Sequence, residues 1–339
     1  MTVLAGPRIH RRRLERTMAS IASRPGVAIA TQMASKALLD ESHPANLGVY
    51  AGKQSDSDAT RDRVDTAPTL ILAGVVMSDF LTGFFTHEFD PAAAIELGID
   101  EARVGDDIFY DVHLQDSLRL VDEILAMRGE RAALPPATPP VPEVLALDRR
   151  VPVTHEELWP TLSAWLRPGT TVVAEAGTAF YGAVGMNLPD DCELLGQPVW
   201  SSIGYTLPAT LGAMLAAPGR DTVLVIGDGS AQLTISELGT ILARGLAPTI
   251  LLIDNAGYTV ERLIRSPDAV YQDITAWDWT ALPAALGAPD TFVAKASTLV
   301  DLDLALAAAR AQDGAALIHV TIDRDDAPPL LARIASGLN

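Results

Sequence analysis

Two short stretches of this chain hold residues whose types and spacing could do chemistry. Gly227-Asp228-Gly229-Ser230 closes one apolar run, and Asn255 follows the end of the next, 25 residues after Ser230. Glycines permit a sharp turn and let the backbone come close to a phosphate. A carboxylate, an amide oxygen and a nearby backbone carbonyl make a hard oxygen site. Such a site suits Mg²⁺, which keeps several waters and binds substrate phosphates with few protein ligands. Gly257 bends freely and is placed to offer the carbonyl. The tetrapeptide alone is a weak signal, because a glycine-flanked acid also serves as a plain strand-to-helix turn. A dinucleotide site needs G-x-G-x-x-G. Here Ser230-Ala231-Gln232 follows Gly229, so the third glycine is absent. An acid inside the turn also repels a pyrophosphate unless a cation neutralises it.

The elements that must position these residues can be read from the pattern. Thr222–Ile226 is an apolar strand leading into the Gly-Asp-Gly-Ser turn, and Pro248–Ile253 is a second strand ending at Asp254-Asn255. Between them, Ile235–Arg244 reads as a helix with Gly245 as its C-terminal cap. A single helical crossover makes the two strands parallel neighbours, which delivers Asp228 and Asn255 to one edge. Ligands of open α/β sheets gather at that carboxyl edge. Further strands are expected at Thr171–Ala174 and Ala316–Ile322, with a small-residue helix at Pro208–Ala217 and an Ala-rich helix around Ala308. The first part repeats the alternation, with strands at Val27–Thr31, Leu47–Ala51, Thr69–Val75 and Ala93–Gly98 and a helix at Asp116–Met127. Leu134–Pro142 has five prolines in nine residues and reads as an extended linker. The expectation is α/β: two doubly wound parallel-sheet domains, 1–133 and 150–339, joined by a Pro-rich linker over 134–149.

Bulk properties exclude several classes. The 339 residues are 48% hydrophobic and carry a net charge of −18. That balance argues against nucleic acid as a partner. The basic run His10-Arg11-Arg12-Arg13 reads as a solvated helix face, and no apolar segment follows it as in a signal peptide. No apolar run reaches the ~18 residues of a membrane span. One cysteine, Cys192, can form neither an internal disulfide nor a thiolate metal site; a cytoplasmic location is expected. Cys192 stands beside Asp190, Asp191 and Glu193, where negative charge would raise a thiol pKa, and it reads as structural.

The paired pattern is more specific than either half. Gly-Asp-Gly-Ser followed about 25 residues later by Asn after an apolar strand resembles the thiamine-diphosphate signature. Gln197–Pro208 and Asn255-Ala256-Gly257-Tyr258-Thr259-Val260-Glu261-Arg262 resemble the thiamine-diphosphate-dependent 2-keto-acid decarboxylases, the group of pyruvate, indolepyruvate and phenylpyruvate decarboxylases. The Tyr-Thr-Val-Glu segment separates this group from its synthase and oxidase relatives. Residues 1–133, including Lys36–Pro44 and Gly48–Gly52, look like the family's central domain, and 150–339 like its thiamine-diphosphate pyrophosphate-binding domain.

The resemblance implies roles for single positions. Asp228, Asn255 and the carbonyl of Gly257 would hold Mg²⁺, and Gly229 and Ser230 would contact phosphate. Ile203 would wedge between the cofactor rings and enforce the bent, reactive conformer. Ser201, Gly177 and Thr178 would meet the aminopyrimidine, and Glu261 would manage protons at the reacting centre. Taken alone, Ile203 could be ordinary core and Glu261 a solvated first-turn acid. Asp254 departs from the pattern, where relatives often carry a second Asn, and it is not assigned as a ligand. The implied reaction is decarboxylation of a 2-keto acid to an aldehyde and CO₂, with a pocket near Val260 and Ile264. The family also uses a glutamate and a His-His pair from an N-terminal pyrimidine-binding domain, usually of a partner subunit. The six histidines here include no adjacent pair. The expectation is therefore a chain incomplete for catalysis alone, completed by a subunit or segment supplying that domain. A homo-oligomer is expected in the complete enzyme. The alternatives are one half of a split enzyme and a non-catalytic cofactor-binding remnant.

Overall fold

Strands covered on both faces read as unbroken apolar runs, and both halves of the chain contain them. The structure is a computed structural model describing residues 1–128 and 148–338. It divides into two units, Met1–Val141 and Pro142–Asn339. The proline-rich stretch read as a linker lies outside the described residues apart from Asp148 and Arg149.

Among its described residues the N-terminal unit has seven strands: β1 (Thr2–Ala5), β2 (Ala28–Thr31), β3 (Asn46–Val49), β4 (Leu70–Ala73), β5 (Ile95–Leu97), β6 (Glu101–Val104) and β7 (Asp107–Tyr110). Their order is β3-β2-β1-β4-β5-β6-β7. The first five are parallel, and β6 and β7 extend the sheet antiparallel. Sequence patterning singles out neither β1 nor the hairpin. No turn signal precedes β1, and β7 is exposed along its whole length, so burial leaves no mark on its composition. The basic run His10–Arg13 is a single helical turn and its exit, with Arg11, Arg12 and Arg13 exposed and His10 bonded to Glu15.

The C-terminal unit is wholly parallel. It contains β8 (Thr171–Ala174), β9 (Glu193–Leu195), β10 (Thr222–Gly227), β11 (Thr249–Asp254), β12 (Phe292–Ala296) and β13 (Ala316–Thr321), in the order β12-β13-β11-β10-β8-β9. After β8 the chain goes to β9 on one side, then crosses to β10 on the other. The strand order therefore reverses between β8 and β10, where a doubly wound sheet opens a crevice at its carboxyl edge. Alternate residues on one face (Leu224 and Ile226 of β10, Ile250 and Leu252 of β11, Leu317 of β13) join a core with Leu207, Leu238, Ile241 and Trp279. Gly245 has a φ of 66° and donates its N–H to Leu242, ending its helix as expected. Cys192 is buried with its thiol on the Arg167 carbonyl, and burial, more than its acidic neighbours, pushes its pKa up. Among the described residues no helix is long and apolar enough to cross a membrane.

One contact fixes the helix Thr178–Val184 that follows β8. A Cβ on Gly182 would lie 1.8 Å from the Trp159 ring, so only glycine lets the helix His155–Trp165 approach this closely. The Trp159 Nε1–H donates to His155 Nδ1 at 3.2 Å. His155 is wholly buried, its Nε2 has no partner, and burial pushes the imidazole down to about 3. The folded protein thus keeps this ring neutral, while the unfolded chain takes up a proton below about pH 6.5. The neutral ring's contribution is fully present above that pH and is lost as pH falls toward the depressed folded value. Replacing His155 with Phe should flatten the pH dependence of unfolding free energy, by about 2 kcal/mol between pH 7 and pH 5 relative to wild type. Parallel curves in urea denaturation across that range would show that His155 does not titrate on unfolding.

Candidate functional site

The carboxyl ends of β8, β10 and β11 meet at this crevice, and each contributes a loop. Strand β10 passes directly into the helix Asp228–Thr234, so Asp228, Gly229 and Ser230 sit at the strand end, all buried. The β10–β11 ladder runs in register from Val223/Thr249 to Gly227/Ile253. The next pair of positions is Asp228 and Asp254. One Asp228 carboxylate oxygen accepts the N–H of Gly229 at 2.7 Å, and the other accepts the N–H of Gly257 at 3.1 Å. Asp228 therefore ties the β10 turn to the β11 loop. Its pKa is raised by burial and by the adjacent Asp254 carboxylate.

Asn255 is 4% exposed, and its side-chain oxygen is buried with no hydrogen-bond partner. A buried amide oxygen without a donor costs about 1–3 kcal/mol. A bound cation would satisfy it. A carboxylate retains acceptor positions after two backbone bonds, so Asp228 can also face a cation. Asp228, Asn255 and the Gly257 carbonyl thus fit a hard cation that takes its remaining ligands from water and phosphate. Among the described residues no three His, Cys, Asp or Glu side chains form a metal cluster.

The β11 loop is held by Arg262, which is 3% exposed. Its guanidinium donates to the carbonyls of Asn255 (3.1 Å), Ala256 (2.6 Å) and Gln272 (3.3 Å) and to the Asp273 carboxylate (2.9 Å). Ala256 is left-handed at φ 55°. Gly257 has φ 126°, and a Cβ there would lie 2.0 Å from the Gln272 carbonyl oxygen. Tyr258 donates its N–H to that same oxygen, and its ring lies where a Cβ on Gly229 would stand, 2.6 Å away.

The opposite wall is organised by Glu175, one residue past β8 and 1% exposed. It accepts from Ala176 N–H (2.9 Å), Gly204 N–H (3.1 Å), Thr206 N–H (3.4 Å) and the Thr206 hydroxyl (2.6 Å). Burial pushes its pKa up and these donors oppose the shift. Glu175 thereby anchors the turn carrying Ser201 and Ile203. Ser201 is left-handed at φ 48°, and Ile203 is 40% exposed, which is not a core position. Thr234 donates its hydroxyl to the Gly204 carbonyl, joining this turn to the helix that Asp228 starts. Gly177 has φ 137° and lies against Val260, while Thr178 is buried at the start of its helix. Glu261 is exposed in the first turn of the helix Thr259–Ile264.

The structure therefore bonds Asp228, Gly229 and Gly257 together beside Asn255 and Ser230. It places Gly177 against the helix of Glu261, and it leaves Ile203, Ser201 and Glu261 exposed. Sequence reasoning missed three supports: Glu175, Arg262 and the pair Asp254–His319. A lone acid directly after an apolar strand and a histidine inside the apolar run of β13 were the available signals. The Asp254 carboxylate meets His319 Nε2 at 2.7 Å, and His319 holds its pKa down.

Residues 178–320 match the family model described as thiamine pyrophosphate enzyme, C-terminal TPP binding domain. Residues 1–125 match that of the thiamine pyrophosphate enzyme central domain. Among curated proteins, the chain is similar to the alpha-keto-acid decarboxylase of Mycobacterium ulcerans, with 42% identity over 100% of this chain and 60% of that protein. The protein of the same description from Mycobacterium leprae is 42% identical over 98% of this chain and 59% of its own length. The Mycobacterium tuberculosis H37Rv protein is 41% identical over 100% and 60%. The chain thus spans about 60% of the length of the curated relatives it matches.

The loop geometry yields a stability test. Replacing Arg262 with Met should lower the unfolding free energy by about 3 kcal/mol, because buried carbonyls and Asp273 lose charge-assisted bonds. Lys should recover little, since one ammonium cannot span the same forked set. Urea unfolding of both variants measures this, and a loss under about 0.5 kcal/mol, as for a neutral surface change, would show that Arg262 does not hold the loop.

Proposed function

Because the chain belongs to the thiamine pyrophosphate enzymes, we propose that it holds thiamine diphosphate through Mg²⁺ and serves the non-oxidative decarboxylation of a 2-keto acid to an aldehyde and CO₂. The observation that carries this reading is the buried, unpartnered oxygen of Asn255 beside the buried Asp228 carboxylate. The family's cofactor supplies the nucleophile and the electron sink for such chemistry. The names of the mycobacterial relatives support the reaction class.

The chain's own residues then divide the work. Asp228, Asn255 and the Gly257 carbonyl are the cation ligands, which lets a diphosphate approach an otherwise repelling carboxylate. Gly229 and Ser230 contact phosphate. Ile203 is the wedge between the two rings; its 40% exposure leaves a surface for a cofactor to cover. Ser201, Gly177 and Thr178 orient the aminopyrimidine. Glu261 is the exposed carboxylate that moves a proton at the reacting carbon, and Val260 lines the substrate side. The domain assignment that goes with this reading is a central domain over 1–133, a linker over 134–149 and the pyrophosphate-binding domain over 150–339, in a cytoplasmic protein.

Catalysis in this reading also draws on a pyrimidine-binding domain with its activating glutamate, supplied by another subunit or segment within a homo-oligomer. Trp200 (83% exposed) and Tyr205 (41%) flank Ile203 in sequence and, with it, offer that domain apolar surface. The 339-residue chain assayed with thiamine diphosphate, Mg²⁺ and a 2-keto acid should form little aldehyde, and addition of a relative's pyrimidine-binding domain should raise the rate. Robust turnover by the chain alone would overturn the need for that domain. Binding of the cofactor without turnover after the addition would favour a non-catalytic binding module. In calorimetry, Asp228→Ala should weaken cofactor binding beyond the ~10–100-fold typical of losing an outer partner of a metal ligand, and equal affinity would remove Asp228 from the ligand set.

A further inference from the structure

The two central strands place more charge at the cation site than one aspartate. Side chains alternate along a strand, so Leu224 and Ile226 share a face, as do Ile250 and Leu252 on β11. Continuing that face past the ladder by one pair gives Asp228 opposite Asp254. On β13, His319 pairs with Leu252, which makes it the diagonal neighbour of Asp254 on the same face. The bonds agree with this register. Asp254 meets His319 Nε2 at 2.7 Å and accepts the Ala256 N–H at 3.3 Å, and its charge is close enough to Asp228 to raise that carboxyl's pKa. The Asp254 side chain is 25% exposed and that of His319 is 13% exposed.

Two carboxylates pressed together at a mostly buried strand edge repel when both are ionised. Among the described residues, Asp228 is offset by backbone N–H groups and Asp254 by one imidazole. The buried cation of the β11 loop, Arg262, spends its bonds on the loop carbonyls and Asp273. Asn255, next in sequence, adds a buried amide oxygen with no donor. A divalent ion answers both features: it neutralises two carboxylates and gives the amide oxygen a partner.

We propose that Asp254, clamped by His319, is a second carboxylate ligand of the cation site, so that this chain binds a divalent metal ion before and without the diphosphate cofactor. The proposal rests on the reading of Asp228 and Asn255 as cation ligands. A site with a single carboxylate needs the phosphates to complete the ion's charge balance; a site with two does not. His319 is a positioning residue, aiming the Asp254 oxygen toward Asp228 by holding the other one.

The test is Mn²⁺ binding to the 339-residue chain without cofactor, followed by the loss of free-ion electron paramagnetic resonance signal, with folding of each variant checked by thermal melting without metal. Asp254→Asn should weaken Mn²⁺ binding at least tenfold, about the lower bound for losing a supporting group at a metal site. His319→Ala should weaken it about 10-fold, and His319→Gln, which keeps a donor for Asp254, should restore most of the loss. Unchanged or tighter binding in a folded Asp254→Asn variant overturns the proposal, as does failure of the wild-type chain to bind Mn²⁺ without cofactor. Asp228→Asn separates the two levels. If it abolishes Mn²⁺ binding while Asp254→Asn does not, the cation site stands and the role of Asp254 falls. If Asp228→Asn binds as wild type does, the underlying assignment of the site has failed.

Discussion

The parallel pairing of β10 with β11 is the constraint on which the site depends. Five registered pairs bring the ends of the two strands side by side, and the Asp228 carboxylate then bonds to the N–H groups of both following loops. Shifting the register by one residue would turn every side chain of β11 to the other face. Asp254 would leave Asp228, and Leu252 would leave the core it shares with Ile226. The core and the site are therefore specified by one alignment, and selection on the buried apolar pattern also holds the acids in place.

Much of this was legible in the sequence, for a physical reason. Strands buried on both faces announce themselves as apolar runs, which is why Thr171–Ala174 and the two central strands were readable to within a residue or so. Asp228 and Asn255 were readable because each directly follows such a run. Glu175, Arg262 and His319 were not. Their roles come from contacts across 29 or more positions, or from a loop that folds back on its own helix. No local pattern encodes that Glu175 will receive the backbone of Gly204 and Thr206. The β6–β7 hairpin escaped for the opposite reason: exposed strands need no apolar composition. Asp254 shows a further limit, since spacing alone could not say which way its side chain points.

The two units use one architectural rule with different outcomes. Each sheet has a central point where the strand order reverses, between β1 and β4 in the first and between β8 and β10 in the second. In the first unit the reversal point is packed shut. A Cβ on Gly6 would lie 2.3 Å from the Gly74 carbonyl oxygen, and the Gln32 side chain bonds both the N–H and the carbonyl of Val76. In the second unit the Asp228 carboxylate stands at that position, and the adjoining β11 loop holds an amide oxygen left without a donor. Topology offers a crevice; the loop residues decide whether it closes on itself or is held ready for something else.

Gly257 carries a consequence for how this gene can change. Its left-handed backbone and the Gln272 carbonyl leave no room for a β carbon. Every missense codon one base away from a glycine codon adds that atom, so the position has no gentle neighbour in mutational space. Gly105, also left-handed but with open space around it, can drift in one base to aspartate, which visits that region, at small cost. In a scan of all single-base variants the β11 loop would stand out as a gap beside tolerant surface turns. The most confined atom position of the site is thus written into the genetic code as the one least able to be approached by small steps.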